Sequence, residues 1–241
     1  MTSASKVYVI GAGGHAKVVL RTLQDLGYAI AGIFDDDPRR QGLSLLGVPI
    51  IGPIEQIAEE PPRPALIAIG DNATRRRIAE RYDLPWLTAV HPSALVDPSV
   101  GIGRGTVVLP RAVIQVDTSL GDHVIVNTAA TIDHDCVIKA YAHLAPGVHL
   151  AGGITIGNGA LLGIGVAAMP GITIGHGVTV GAGAVVICDL PDHVIAVGVP
   201  AKVKRSAQAS LTAKAVPVDP SCTPPVDLEV NNLHGVPKLL G

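Results

Sequence analysis

Hydrophobic positions in this chain follow two different periods. From Ile102 an aliphatic residue returns every six positions: Ile102, Val108, Ile114, Leu120, Val126, Ile132, Ile138, Leu144, Leu150, Ile156, Leu162, Ala168, Ile174, Val180 and Val186. Fourteen of these fifteen are Val, Ile or Leu, and the register never slips. The residues two before each, from Val100 to Ala184, are small or aliphatic as well. Helices repeat at 3.6 residues and simple strands at 2, so a period of six is neither. It predicts a β-helix of hexapeptide repeats. Each unit makes a short strand and a turn, and three units close a triangular coil. Stacking the coils buries a face that one coil cannot bury alone. Gly103, Gly121, Gly157, Gly163, Gly175 and Gly181 follow the aliphatic position, where tight corners are expected to need unusual φ/ψ.

Upstream the pattern changes. Lys6 to Ile10 reads as a buried strand, Gly11 to Lys17 as a glycine turn, Val18 to Leu26 as a helix, and Ile30 to Phe34 as a second strand. Strand, turn, helix, strand is a βαβ unit. Ala65 to Ile69 predicts another strand and Thr74 to Tyr82 another helix, which together make a small Rossmann-like domain over residues 1–90. Trp86 to His91 connects it to the β-helix, placed over 91–205. Residues 206–241 are rich in Pro, Ser, Thr and Ala without periodicity and read as a flexible tail.

Composition narrows the function. Apolar residues make up 48% and aromatics 2%, which suits the narrow interior of a β-helix. A net charge of −2 makes no case for nucleic acid or an anionic membrane. No apolar run approaches the roughly 20 residues needed to span a bilayer, so membrane insertion is not expected. Three cysteines without metal-type spacing and a start without signal-peptide layout predict a reduced, cytoplasmic setting.

Polar residues break the β-helix pattern in one zone: Asn127, Asp133, His134, Asp135, His143 and His149. Coils of 18 residues place His143 between Ile125 and Leu161, and His134 half a coil away on the same chain. The two imidazoles therefore meet only if a neighbouring chain unites them, and parallel association in threes would do so. A neutral imidazole flanked by carboxylates suits general-base catalysis. Zinc bound as in γ-class carbonic anhydrases is the rival, with His123, His134, His143, His149 and His176 as candidate ligands. The six-residue spacing of His143 and His149 matches that family poorly, so no metal is expected. In the first domain, the amides of the Gly11–Ala16 turn and the following helix N-terminus suit a phosphate or sugar hydroxyl. Asp35 and Asp36 suit a nucleobase N–H or a ribose hydroxyl.

With these residues in hand the chain resembles the bacterial nucleotide-amino-sugar N-acetyltransferases, a group including bacillosamine-pathway and perosamine enzymes. The sialic acid O-acetyltransferases share the layout. The resemblance spans roughly residues 5–205. It is carried by Gly11-Ala12-Gly13-Gly14-His15-Ala16-Lys17, Phe34-Asp35-Asp36, Ala68-Ile69-Gly70-Asp71-Asn72, Asn127-Thr128, Asp133-His134-Asp135-Cys136, His143, Pro146-Gly147 and the exit Val197-Gly198-Val199-Pro200-Ala201-Lys202. It implies an α/β Rossmann-like domain followed by an all-β left-handed parallel β-helix, assembled as a homotrimer. It implies acetyl-CoA as co-substrate, no metal, and a nucleotide-linked amino sugar of the 4-amino-4,6-dideoxy type as acceptor, for surface-glycan synthesis. By the same resemblance His134 is the base, with Asp135 raising its basicity and Asn127 supporting the site. Gly13, Gly14 and His15 hold the nucleotide-sugar, Asp35 and Asp36 its base end, and Gly70 the sugar region. His143, Ile164 and Ala182 contact acetyl-CoA. O-acetylation of sialic acid or another glycan sugar is the alternative. A γ-class zinc hydratase and a non-catalytic sugar-nucleotide binder remain open from other classes.

Overall fold

The computed structural model describes residues 6–206. The expected tail over 206–241 lies, from residue 207 onward, outside the described residues. Strand β1 (Lys6–Ile10) leads into α1 (Gly14–Asp25), then β2 (Ala29–Phe34), β3 (Ser44–Leu45), β4 (Val48–Gly52), β5 (Ala65–Ile67) and α2 (Asn72–Arg81). The sheet order is β3-β4-β2-β1-β5, parallel except where β3 pairs antiparallel with β4. Helix α1 starts four residues before the apolar period predicts, because Gly13 serves as its extended N-cap. Its apolar stripe of Ala16, Val19, Leu20 and Leu23 is buried, and Gly27, at φ +80°, ends it. Helix α2 also starts early, because the Asp71 carboxylate accepts the Thr74 N–H at 2.7 Å.

Downstream, the six-residue period becomes two-residue strands on three walls of a left-handed parallel β-helix. The first wall carries Ala89–Val90, Val107–Val108, Ile125–Val126, His143–Leu144, Leu161–Leu162 and Thr179–Val180. The second carries Leu95–Val96, Val113–Ile114, Thr131–Ile132, His149–Leu150, Ala167–Ala168 and Val185–Val186. The third carries Gly101–Ile102, Ser119–Leu120, Val137–Ile138, Thr155–Ile156 and Thr173–Ile174. Each residue pairs with the one 18 positions on, as His143 does with Ile125 and Leu161. The coils start two units earlier than the sequence register suggests, at Val90 and Val96. His91-Pro92 and Asp97-Pro98 hide these units among turn residues. Strand Val194–Val197 continues the first wall, and Lys202–Ser206 pairs antiparallel with it to close the end.

Both register positions point inward. Val108 to Val186 and Thr106 to Ala184 are buried, Cys136 among them. The corner glycines, however, have a different role from the one expected. Left-handed backbone falls at residues 105, 111 and every sixth position to 183, three after the aliphatic residue. Eight of these fourteen are glycine, and Arg111, Asp117, His123, Ala129, Asp135 and Tyr141 adopt the same conformation. Gly103, Gly121, Gly157 and Gly163 have no such φ. A Cβ there would come within 2.4–2.6 Å of the backbone of the next coil. Close stacking of coils, not conformational freedom, demands glycine at those four positions.

The first domain sits on the first wall. Outward-facing Val107 and Ile125 are buried in one cluster with Val7, Val9, Leu20 and Leu23. His143 is the next residue up that column, so the register itself carries it to the edge of the domain contact.

Candidate active site

His134 occupies the corner between the second and third walls. Its side chain is 56% exposed, and Nδ1 lies 2.7 Å from Oδ2 of Asp135. The expected contact therefore closes with Asp as its carboxylate. Asp135 sits at a left-handed position, φ +58°, which turns its side chain back toward the preceding residue. Asp133 fixes the corner by accepting the His134 N–H at 2.9 Å, and the Gly153 N–H donates to the His134 carbonyl at 2.9 Å. The Asp135 bond, reinforced by the charges of Asp133 and Asp135, raises the His134 pKa above its usual value. A carboxylate that accepts from Nδ1–H leaves the Nε2 lone pair outward, which is the arrangement a general base requires.

His143 lies elsewhere and is wired differently. Its Nδ1 is 3.2 Å from the Gly70 carbonyl, and its Nε2 is 3.2 Å from Nδ2 of Asn127. A carbonyl only accepts, so Nδ1 carries the hydrogen and Nε2 accepts from the amide. The amide is oriented by Oδ1 of Asn127, which takes the Thr128 N–H at 2.8 Å. An imidazolium would set an N–H against an N–H₂ donor. Burial first, and then the Arg75 charge, lowers the His143 pKa to about 4, against an opposing pull from the Gly70 bond. His15, on the first turn of α1, stands 6.1 Å from His143 between ring centres and is likewise lowered to about 4, first by burial. Its Nε2 is buried without a protein partner among the described residues. Asn127 thus serves His143 and its own turn, and the zone read as one polar cluster in sequence is divided between two corners of the prism.

Arg75 was invisible as a site residue in the sequence, where it is one of three consecutive arginines on a helix. Its side chain is buried. It donates to the carbonyls of His123 (2.9 Å), Ile69 (3.1 Å), Gly70 (3.2 Å) and Tyr141 (2.8 Å) and to Oδ1 of Asn72 (2.8 Å). These acceptors belong to both domains, so one guanidinium pins the Gly70 carbonyl that holds His143. Burial without a carboxylate contact lowers its pKa to about 10, so it stays charged. The only cue in sequence is its place one turn after the Gly70-Asp71-Asn72 bend.

The glycine turn leaves an open face. A Cβ on Gly13 or Gly14 would meet nothing within 4 Å, whereas one on Gly11 would strike Ile69 at 2.5 Å. Gly11 therefore packs, and Gly13 and Gly14 present backbone amides at an α1 N-terminus with no side-chain cap and no acidic residue. Asp35 is buried and occupied: it accepts from the Ala12 N–H (2.7 Å), the Asp37 N–H (2.9 Å) and Arg40 (3.1 Å), tying β2 to the turn. Asp36 accepts the Ile54 N–H at 2.8 Å and is otherwise exposed. Ile164, 63% exposed, and Ala182 stand at the corner between the first and second walls, above Asn127-Thr128 and Pro146. The candidate zinc ligands are dispersed. His123 is buried between Trp86 and Tyr141, His149 bonds Thr131, and His176 accepts the Asn158 N–H. Among the described residues no group of three or more His, Cys, Asp or Glu could hold a metal ion.

Comparisons with known proteins agree with this geometry. The PglD N-terminal domain family matches residues 6–82. The perosamine N-acetyltransferase structure from Caulobacter crescentus in complex with CoA and GDP-perosamine is 42% identical, with a TM-score of 0.79 over 84% of this chain and 99% of that one. The acetyltransferase domain of PglB from Neisseria gonorrhoeae, in complex with acetyl coenzyme A, is also 42% identical, with a TM-score of 0.79 over 84% of this chain and 100% of that one. The UDP-N-acetylbacillosamine N-acetyltransferase of Bacillus subtilis is 38% identical over 109 residues, 43% of this chain and 50% of that protein. The matches to the curated relatives span half of their length or less. On the identity and near-complete coverage of the solved acetyltransferases, the chain belongs to the nucleotide-linked amino-sugar N-acetyltransferase family.

Proposed function

We propose that this chain transfers an acetyl group from acetyl-CoA to the amine of a nucleotide-linked amino sugar of the 4-amino-4,6-dideoxy type, in surface-glycan synthesis in the cytoplasm. The observation that carries the reading is the contrast between two histidines. His134 is exposed, bonded to a carboxylate and raised in pKa, whereas both ring nitrogens of His143 are already engaged. The amine nitrogen attacks the thioester carbonyl while Nε2 of His134 accepts the N–H proton. The C–N bond forms, the C–S bond breaks, and the same proton passes to the departing sulfur. Residues 1–90 take the nucleotide-sugar at Gly13, Gly14 and His15, with its base end toward Asp35 and Asp36 and its sugar toward Gly70. Residues 91–205 take acetyl-CoA along the Ile164–Ala182 corner, with Asn127 and His143 facing its reactive end. GDP-perosamine bound to the Caulobacter relative supports this acceptor class, and the bound CoA and acetyl coenzyme A of the two relatives support the donor. One chain does not complete the site, because the His134 corner and the His143 corner are separated by the second wall. A homotrimer with parallel axes brings the two together.

An assay offering acetyl-CoA with matched amine and hydroxyl acceptors tests the reading. We expect amide formation and release of free coenzyme A with the amine only, and His134→Ala to slow that release by about 10²–10⁴-fold. Acetylation of the hydroxyl acceptor alone, or full activity in the variant, refutes it.

A further inference from the structure

We propose that Gly152 is a positioning residue for acetyl transfer: its missing side chain is the seat on which the His134 imidazole lies. The proposal rests on His134 being the base. Gly152 stands one coil, 18 residues, beyond His134. A Cβ at 152 would sit 2.5 Å from Cε1, 2.6 Å from Nε2 and 3.0 Å from Nδ1 of His134. The ring therefore rests directly against the Gly152 α-carbon. Neither reason that explains the other corner glycines explains this one. Its φ lies outside the left-handed range; that conformation belongs to its neighbour, Gly153, at φ +69°. The three atoms nearest to a Cβ at 152, all within 3.0 Å, belong to the imidazole, whereas at Gly103, Gly121, Gly157 and Gly163 the nearest atom is backbone of the next coil.

The register isolates Gly152 further. Its position in the six-residue unit recurs at Arg104, Pro110, Val116, Asp122, Thr128, His134, Ala140, Pro146, Gly152, Asn158, Ile164, Pro170, His176 and Ala182. Thirteen of the fourteen carry a side chain, two of them alanine, so the backbone at this point accepts a Cβ. Gly152, the exception, lies one coil above the base. The geometry gives it two tasks. It allows the ring to lie low enough for Nδ1 to reach Asp135 at 2.7 Å, and it fixes the height of Nε2 above the coil. A methyl group there forces the ring out by about an ångström, and a misplacement of that size costs about 10²-fold in rate.

Gly152→Ala tests the proposal. Because Ala140 and Ala182 occupy the same position in other coils, the variant is expected to fold and to bind both substrates with KM within about twofold of wild type. Its kcat is expected to fall by about 10²-fold. The His134 imidazole resonance is expected to titrate nearer the ordinary histidine value of about 6.5, as its carboxylate bond is lost. Any loss in melting temperature should vanish in the His134→Ala background, where the methyl group meets no ring. Wild-type kcat and pH profile in Gly152→Ala, or an equal stability loss in both backgrounds, overturns the seat while leaving the base assignment standing. Full activity in His134→Ala overturns the base assignment and the proposal with it.

Discussion

At the scale of single residues, chemistry is decided by what each imidazole nitrogen touches. His134 and His143 look alike in sequence, nine residues apart in one repetitive domain, yet the fold leaves one exposed and bonded to a carboxylate, as the proposed base requires, and the other a fixed neutral donor-acceptor. The His134 pKa is raised mainly by its bond to Asp135, so the protonated fraction persists above the ordinary histidine range. A base works only when neutral. The value of kcat/KM is therefore expected to climb with pH through that raised value and level off above it. Asp135→Asn keeps the size but removes the charge. It should shift the climb to lower pH, toward about 6.5, and lower the plateau on the order of 10-fold. A pH–rate profile checks both, and an unmoved acidic limb in the variant means that another group titrates there. The Asp133-His134-Asp135 run was legible in sequence because charged residues interrupt an otherwise bland repeat. The tautomer of His143 was not, because it depends on a Gly70 carbonyl 73 positions away in another domain.

At the scale of elements, the six-residue period was legible almost to the residue, since every inward position of a coil faces the same confined interior. Three other features of the fold were not. The first two units were hidden by prolines. Four of the six glycines that follow the aliphatic position proved to serve close coil stacking, a contact with residues 18 or 19 positions on that no local pattern expresses. The third is Arg75, which a helix-by-helix reading assigns to solvent with Arg76 and Arg77. In the structure it joins α2 to the coil turns at His123 and Tyr141 and to the end of the first domain at Ile69 and Gly70. Arg75→Met keeps the apolar stem and leaves these carbonyls without a donor. At about 1–3 kcal/mol for each group left unsatisfied, the loss should total about 3 kcal/mol or more. That corresponds to a fall in melting temperature of about 6–12 °C. The KM for the nucleotide-sugar should rise as well, because Gly70 and His143 lose their anchor. Thermal melting and steady-state kinetics read the two effects separately, and a variant melting within a degree or two of wild type contradicts the clamp.

At the scale of the whole molecule, the proposed chemistry calls for a second chain. The first domain covers the first wall and reaches His143, whereas His134 projects from the far edge of the second wall. Exposed apolar side chains at Leu95 (69%), Val116 (43%), Ile164 (63%) and Met169 (47%) lie along the second wall and its two edges, which suits burial against another prism. In a cyclic trimer each contact is head-to-tail, so the His134 edge of one protomer meets the Ile164 edge of the next. Two variants test this arrangement together. His134→Ala lacks the base, and His143→Ala lacks the contact beside Gly70 and Asn127, so each trimer alone is expected to be nearly inactive. If both side chains act from the same chain, mixed trimers contain no intact site. If they act across the contact, a site is intact wherever a His143→Ala chain supplies the base to a His134→Ala neighbour. Random co-assembly of equal amounts makes that about one site in four. Co-refolding the two variants should therefore restore about a quarter of wild-type coenzyme A release, at a mass three times the chain's 24.6 kDa. Mixtures no more active than the separate variants would place both histidines in one protomer's site, and the second wall would then need another explanation for its apolar surface.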